Sequence, residues 1–209
     1  MTGPDAPGGP DPATARDDIL GRLGAPDDSV AEAYGAIRRE YLRRHSEGDV
    51  RALFAERVAH YRAVVHTVTE ARLPGALAAA LRPGAYVLAP GLPAAWAAAI
   101  PPDRRAADGA ELDAVAGVVT GCAAAIAETG TIVLDHGAGQ GRRALTLVPD
   151  HHLVVVPADR IAADVPEALA RLDVTRPLTF VSGPSATSDI ELTRVEGVHG
   201  PRSLEVFVL

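Results

Sequence analysis

A loop of small hydroxyl residues and carboxylates follows an apolar run late in the chain. The run covers residues 178–181 (LTFV), and the loop reads SGPSATSDIE over residues 182–191. Glycine and proline turn the chain sharply at its start, so the hydroxyls and backbone amides that follow can converge on one small anion. The candidate ligand-binding residues are Ser182, Gly183, Ser185, Thr187, Asp189 and Glu191. The alternative is that Ser188 or Asp189 caps a short helix and the rest only forms a turn.

A second polar segment, AETGT, occupies residues 127–131. Glu128 follows a run of small apolar residues, so its burial would raise the pKa of its carboxyl group and make it a candidate acid or base. Thr129 and Thr131 are candidate ligand-binding residues beside it. The alternative is that Glu128 holds neighbouring backbone amides in place.

Histidines occur in two further bends of the chain. His199 lies in GVHGP, before the last apolar run, and is a candidate catalytic acid–base group or a hydrogen-bonding post. His151 and His152 are adjacent in PDHH, so on an extended backbone they point to opposite sides, and we take His152 as the candidate ligand-binding residue. No metal site is expected, because no local spacing such as HxxxH supports one.

The glycine-rich segment GAGQG at residues 137–141 resembles a dinucleotide fingerprint only superficially. In that fingerprint the glycines open a helix, whereas here they lead into the apolar run ALTLV. We therefore predict the tip of a hairpin, with Arg142 and Arg143 available to an anion.

Alternation of valine-rich runs with helical patterns predicts the elements that hold these segments. We expect helices over residues 14–24 (with Thr14 in a capping box), 49–68, 74–81, 122–128 and 166–172. We expect strands at residues 85–90, 114–121, 131–135, 144–148, 153–157, 178–183 and 203–209, with 131–135 and 144–148 forming a hairpin. The predicted fold class is α/β, three-layered, with a mainly parallel sheet and one antiparallel hairpin, and the ligand site is expected beyond the carboxyl ends of the strands.

Composition narrows the range of functions. A net charge of −7, spread along the chain, makes nucleic acid an unlikely partner. The one cysteine, Cys122, forms no disulfide and no four-thiolate iron–sulfur cluster within the chain, which favours a cytoplasmic location. No apolar run is long enough to span a membrane. We expect a mobile arm over residues 1–13 and a single domain, helical at its start, over residues 14–209.

Four of these segments, in this order, resemble the lactate utilisation protein C (LutC/YkgG) family and its LUD domain: AETGT, PDHH, SGPSATSDIE and GVHGP. ERVAHYRAVV and VLAPGLPAAW are also similar to actinobacterial members of that family. The resemblance implies a fold related to the NagB/RpiA/CoA-transferase-like group. It also implies a three-component system that oxidises L-lactate to pyruvate, with iron–sulfur clusters on LutA-like and LutB-like partner subunits and no cofactor on this chain.

The sequence leaves three hypotheses open. The first is an accessory subunit that uses Glu128, the 182–191 loop and His199 to bind a small anion or to meet its partners. At the position where the family often has a basic residue, this chain has Ala186, which removes one possible anion contact. The second is a stand-alone enzyme of transferase or cyclo-ligase type, with Glu128 as nucleophile or base. The third is a scaffold whose motif residues only join loops.

Overall fold

The chain divides into two units, residues 1–41 and residues 42–209. The computed structural model describes residues 12–24, 28–40, 48–187, 195–197 and 199–209. In the first unit it has two helices, α1 (Pro12–Leu23) and α2 (Asp28–Ala36). Because α1 begins at Pro12, the predicted capping role of Thr14 is wrong: Thr14 lies inside the helix, and proline is well suited to a first helical turn.

The second unit contains every strand of the described residues. Its helices are α3 (Val50–His60), α4 (Leu73–Ala80), α5 (Ala94–Ala97) and α6 (Val165–Ala170), with 3-10 turns at Pro102–Arg104, Arg143–Thr146 and Ala158–Arg160. Its strands are β1 (Val64–Thr67), β2 (Tyr86–Leu88), β3 (Arg105–Ala106), β4 (Gly117–Thr120), β5 (Ala124–Ile126), β6 (Thr131–Leu134), β7 (His151–Val156), β8 (Ile161–Ala162), β9 (Thr179–Val181), β10 (Ala186–Thr187), β11 (Val195–Glu196) and β12 (Ser203–Val208). Within the described ranges, no helix has the length and apolar content needed to cross a membrane.

Six parallel strands form the main sheet, in the order β1-β12-β7-β4-β2-β3. Strands β4 and β7 are buried along their whole length, as expected for the centre of a parallel sheet covered on both faces. Helices α4 and α5 pack on one face around Phe207 and Leu153. Helix α3 and a second sheet pack on the other face around Val154 and Val206. The predicted fold class, α/β with a mainly parallel sheet, is confirmed.

The second sheet has the order β8-β5-β6-β9 and supplies the antiparallel hairpin, but from other residues than predicted. Residues 122–128 are not a helix: Ala124–Ile126 is strand β5, and it pairs with β6 through a turn at which Gly130 has φ +60°. Residues 144–148 are not a strand, because the 3-10 turn Arg143–Thr146 occupies them. Small apolar residues fit either state, and here burial between two packed layers selects the strand.

The predicted helix over residues 49–68 is also wrong in its second half. Asp49 caps α3, accepting bonds from the N–H groups of Arg51 and Ala52 at 3.0 Å each, and α3 then ends at His60. Arg62 has φ +68°, which breaks the helix, and Val64–Thr67 becomes edge strand β1 beside β12. Branched valines pack well on a pleated surface, so the run that continued the helical spacing forms a strand.

Candidate functional site

Three of the predicted site residues form a chain of hydroxyl groups at one end of the second sheet. Thr131 Oγ1 lies 2.7 Å from Thr129 Oγ1 and 2.8 Å from Ser182 Oγ. The contact follows from strand register, because Ile132 pairs with Val181 between antiparallel strands β6 and β9, which places Thr131 beside Ser182. Thr131 is buried and Ser182 exposed, so the hydroxyl chain runs from the interior to the surface.

Glu128 stands in the same hairpin turn but is exposed, so the burial on which its predicted acid–base role depended does not occur. Its backbone N–H donates to the carbonyl of Ala163 at 3.0 Å, which fixes the turn against the end of β8. Gly130 fixes the other side, because a Cβ there would lie 2.7 Å from the backbone carbon of Arg57 in α3. The Glu128 side chain is therefore exposed to solvent on a turn whose backbone is held in place by its contacts with β8 and α3.

Ser185 joins the 182–187 segment to the GVHGP bend. Its Oγ accepts a hydrogen bond from the backbone N–H of His199 at 3.1 Å, and its own N–H donates to the carbonyl of Pro201 at 2.8 Å. Gly183, with φ +89°, lies against Tyr61, where a Cβ would come within 2.6 Å of the tyrosine Cβ. The imidazole of His199 is exposed.

The remaining members of the predicted loop are described only in part. Thr187 ends β10 and pairs through its backbone with Val195 of β11. Asp189 and Glu191 lie outside the described residues. The alternative in which Ser188 or Asp189 caps a helix lies there too.

His152 is a core residue rather than a neighbour of the hydroxyl chain. It is the second residue of β7, is 1% exposed, and its Nε2 lies 2.7 Å from Thr120 Oγ1 on the adjacent strand β4. Burial lowers the pKa of His152 to about 3, so the ring is neutral at neutral pH. A neutral ring bonded to a hydroxyl satisfies a buried polar pair inside the sheet.

The motif residues that the structure describes lie at the amino edge of the parallel sheet, whereas the prediction placed them beyond the carboxyl ends of its strands. His199 and Pro201 come just before β12, and all six strands run in the same direction. The apolar run that precedes Ser182 is β9, which belongs to the second sheet and pairs antiparallel with β6. Because β9 is not a strand of the parallel sheet, the rule for the carboxyl ends of parallel strands does not apply to the loop that follows it.

Sequence reasoning missed a polar network across the main sheet. Glu205 of β12 lies between two histidines, 2.8 Å from His66 Nε2 and 3.1 Å from His151 Nε2, and His151 Nδ1 lies 2.8 Å from the hydroxyl of Tyr86. Burial lowers the pKa of His151, the Arg82 charge acts in the same direction, and Glu205 opposes both. One signal was present: Glu205 is a charged residue within the apolar alternation of SLEVFV.

A cleft of about 440 Å³ opens beside this network, also at the amino edge. Arg202 bonds both carboxylate oxygens of Asp150 through its Nε, at 2.7 and 2.8 Å, and this pairing holds the pKa of Asp150 below its ordinary value. Arg82 lines the same cleft and donates to Ser203 Oγ at 2.5 Å. Within the described residues, no three His, Cys, Asp or Glu side chains are grouped so as to hold a metal ion.

Fold and site together define a mixed α/β protein with a six-stranded parallel sheet, a smaller second sheet and a polar amino edge. The LUD domain matches residues 49–209, and the chain belongs to the LUD domain family. The resemblance recognised in the four sequence motifs is thereby confirmed.

Relatives and a solved structure agree with this assignment. The chain is 48% identical to lactate utilization protein C of Deinococcus radiodurans over 78% of this chain and 81% of that protein. A lactate utilization protein C of Halalkalibacterium halodurans is 33% identical over 84 residues, 36% of each chain. The crystal structure of a DUF162 family protein from Deinococcus radiodurans is 41% identical, with a TM-score of 0.65 over 78% of this chain and 98% of that one.

Proposed function

We propose that this chain is the LutC-like component of an L-lactate utilisation system, in which L-lactate is oxidised to pyruvate together with iron–sulfur partner subunits. The observation that carries the proposal is the 48% identity to a lactate utilization protein C, which extends over most of both chains. Three of the four motifs that carry the resemblance lie together in the fold: AETGT contacts the SGPS loop through Thr131 and Ser182, and that loop contacts GVHGP through Ser185.

The chemistry of Cys122 supports an accessory role for this chain. One thiol cannot ligate an iron–sulfur cluster of the four-thiolate type. Burial raises the pKa of the Cys122 thiol to about 12, so at neutral pH the thiol is protonated. The electron-transfer centres then belong to LutA-like and LutB-like partners, and the system works in the cytoplasm.

The amino-edge surface around Glu128, Ser182 and His199 is the proposed contact for those partners. Both Glu128 and His199 are exposed while the backbone beneath them is fixed, which is the arrangement of a preformed docking surface. Ala186 is exposed in the same segment and supplies no charge, which favours partner contact over anion capture here.

The proposal is tested by deleting the gene for this chain in its host and restoring it on a plasmid. Growth on L-lactate as sole carbon source should be lost on deletion and restored by the intact chain, whereas growth on glucose should not change. A triple variant, Glu128→Gln with Ser182→Ala and His199→Gln, should restore growth poorly while accumulating normally. Full lactate oxidation without this chain would exclude the proposal.

The transferase or cyclo-ligase alternative predicts a different result. An enzyme of that kind should show a raised melting temperature with acyl-CoA or a nucleotide. A Glu128→Gln variant would then lose turnover but keep the ligand-induced shift. Absence of any shift with these compounds favours the accessory role.

A further inference from the structure

The carboxyl edge of the parallel sheet, where the sequence predicts a ligand site, carries a cleft that none of the described candidate site residues lines. Its wall includes residues that follow three adjacent strands within three positions: Gly91 after β2, Gly121 and Cys122 after β4, and Pro157 after β7. In open parallel sheets this is the edge at which ligands are bound. The cleft lies wholly within the second unit.

The GAGQG loop closes this cleft instead of forming the predicted hairpin tip. The N–H of Gly139 donates to the carbonyl of Pro90 at 2.7 Å, and the carbonyl of Gly139 accepts from the N–H of Gly121 at 2.7 Å. A Cβ on Gly91, which has φ +85°, would lie 3.1 Å from the Gly139 nitrogen, so the two loops approach too closely for larger residues. The floor of the cleft is therefore fixed backbone.

Arg160 gives the cleft its charge. It is exposed at the end of a 3-10 turn, and within the described residues it has no carboxylate partner; its guanidinium makes one long hydrogen bond, 3.4 Å, to the carbonyl of Ala123. Two neighbouring arginines differ, because Arg171 is paired with Glu167 and Arg176 with Asp135. Arg160 lines this cleft and the polar one beside it, so it is the cation available to a ligand.

The rest of the lining is apolar or neutral. Trp96 is half-buried, and its ring edge stands over the floor: a Cβ added at Gly121 would lie 3.5 Å from Trp96 Cζ3. The Cys122 thiol, whose pKa burial raises to about 12, is protonated at neutral pH and does not neutralise Arg160. The site thus combines one free positive charge with an aromatic and aliphatic wall.

The volume sets the size of the ligand. The cleft has a volume of about 180 Å³ and is open to solvent on one side. A three-carbon 2-hydroxy or 2-oxo acid fits a space of this size.

We propose that the cleft between Arg160 and Trp96 binds a small 2-hydroxy or 2-oxo monocarboxylate of the size of L-lactate or pyruvate. The guanidinium of Arg160 pairs with the carboxylate, and the carbon skeleton packs towards the indole. The identity of the acid rests on the proposed role in lactate utilisation; the existence of a monocarboxylate site rests on the cleft alone.

Trp96 is the single tryptophan of the chain, so its fluorescence reports on this cleft. Titration of the purified full-length chain with L-lactate and with pyruvate should give a saturable emission change, with matching heat in calorimetry. Lactamide, which is neutral and nearly the same shape as lactate, should bind about tenfold more weakly or not at all, since charge-assisted bonds are the strong ones.

Substitutions of Arg160, compared with a control substitution at another exposed arginine, test whether the guanidinium of Arg160 binds the acid. Arg160→Gln should raise the Kd for the acid by about tenfold or more, because it removes the charged donor. Arg160→Lys keeps the charge and should retain part of the affinity. Arg72→Gln, at an exposed arginine before α4, is the control and should leave the Kd unchanged. Melting temperatures should be equal in all three, since no ion pair is lost.

The outcomes separate this inference from the proposed function. If neither acid produces heat or a saturable fluorescence change at up to about 10 mM, well above the usual range of weak metabolite affinities, the site is excluded even where deletion abolishes growth on lactate. Equal affinity of the wild type and the Arg160→Gln variant would exclude it too. Binding that depends on Arg160 in a chain whose deletion leaves lactate growth intact would keep the site and reject the lactate role.

Discussion

The buried ring of His152 makes stability depend on pH. Its pKa is about 3 in the folded protein, well below the ordinary value near 6.5, so folding favours the neutral ring. The contribution of the neutral His152 ring to the free energy of unfolding is fully present above about pH 6.5. It is lost as the pH falls towards the pKa of the folded protein, because only the unfolded chain takes up the proton. Linkage gives a loss of about 2 kcal/mol between pH 6.5 and 5.

We therefore expect urea denaturation to show a free energy of unfolding that falls over this interval. His152→Gln, which removes the titration, should flatten the fall, whereas His60→Gln, at an exposed histidine, should not. His151 adds a change of the same sign, since burial lowers its pKa too. A wild-type pH dependence retained by His152→Gln would contradict this account.

The hydroxyl chain gives a second prediction for single residues. Thr131→Val keeps the shape of the side chain but removes the oxygen that contacts both Thr129 and Ser182. We expect it to lower the free energy of unfolding by about 1 kcal/mol, the usual net value of a hydrogen bond in a protein. Thr131→Ser keeps the oxygen and serves as the control in the same denaturation series. A loss in Thr131→Ser with none in Thr131→Val would show that the methyl group, not the hydroxyl, matters.

At the scale of elements, the hairpin of β5 and β6 depends on its contact with α3. Gly130 has φ +60°, and a Cβ there would meet the backbone of Arg57 and Val58 at 2.7 to 2.8 Å. Backbone cannot swing aside as a flexible side chain can, so Gly130→Ala should cost more than about 2 kcal/mol, through overpacking and strain together.

Gly75→Ala is the matched control for this prediction. Gly75 lies inside α4, and apart from its chain neighbours and the backbone of its own helix no atom lies within 4 Å of an added Cβ. Alanine there should stabilise the protein by about 0.5 to 1 kcal/mol, because it restricts the unfolded chain and favours helix. Equilibrium denaturation of both variants measures the difference in their free energies of unfolding. If Gly130→Ala and Gly75→Ala changed this free energy in the same direction by similar amounts, the β5–β6 hairpin would not approach α3 closely.

Elements with an unambiguous pattern could be predicted from sequence, and those with an ambiguous one could not. Apolar, valine-rich runs bounded by proline or glycine, such as Leu153 to Val156 in β7 or the alternation in β12, were assigned correctly. Residues 122–128 are mostly alanine, which carries little preference once buried, so the sequence predicts a helix where the structure has strand β5. Val64 and Val65 continued a helical spacing by coincidence, and tertiary pairing with β12 decided their state.

The same distinction holds for the candidate site. The grouping of Thr131 with Ser182, and of Ser185 with His199, joins residues that sequence analysis had selected from separate segments. Arg160 and Trp96 could not be paired in this way, because no local pattern connects them and they meet only where three strands end together. Long-range register, not residue type, creates that cleft.

At the scale of the whole molecule, the core lies in the second unit. All four apolar clusters of the described residues fall within residues 50–209, and the LUD domain matches residues 49–209. Asp49 caps the first helix of that region, which makes it a natural starting point for a shortened chain. We predict that residues 49–209 fold cooperatively, with a melting temperature within about 3 °C of that of the full-length chain. A shift of that size corresponds to a change of less than about 1 kcal/mol in the free energy of unfolding.

A second, longer truncation tests whether removing part of the core, unlike removing the first 48 residues, prevents folding. Starting at residue 64 also removes α3, whose Phe54 and Val58 are fully buried in the cluster between the two sheets. Removing two large apolar side chains from a core costs several kcal/mol, comparable to the whole stability of a domain, so this shorter chain should not fold. Calorimetry distinguishes the two truncations. A broad or absent transition for residues 49–209 would contradict the prediction that this range folds by itself.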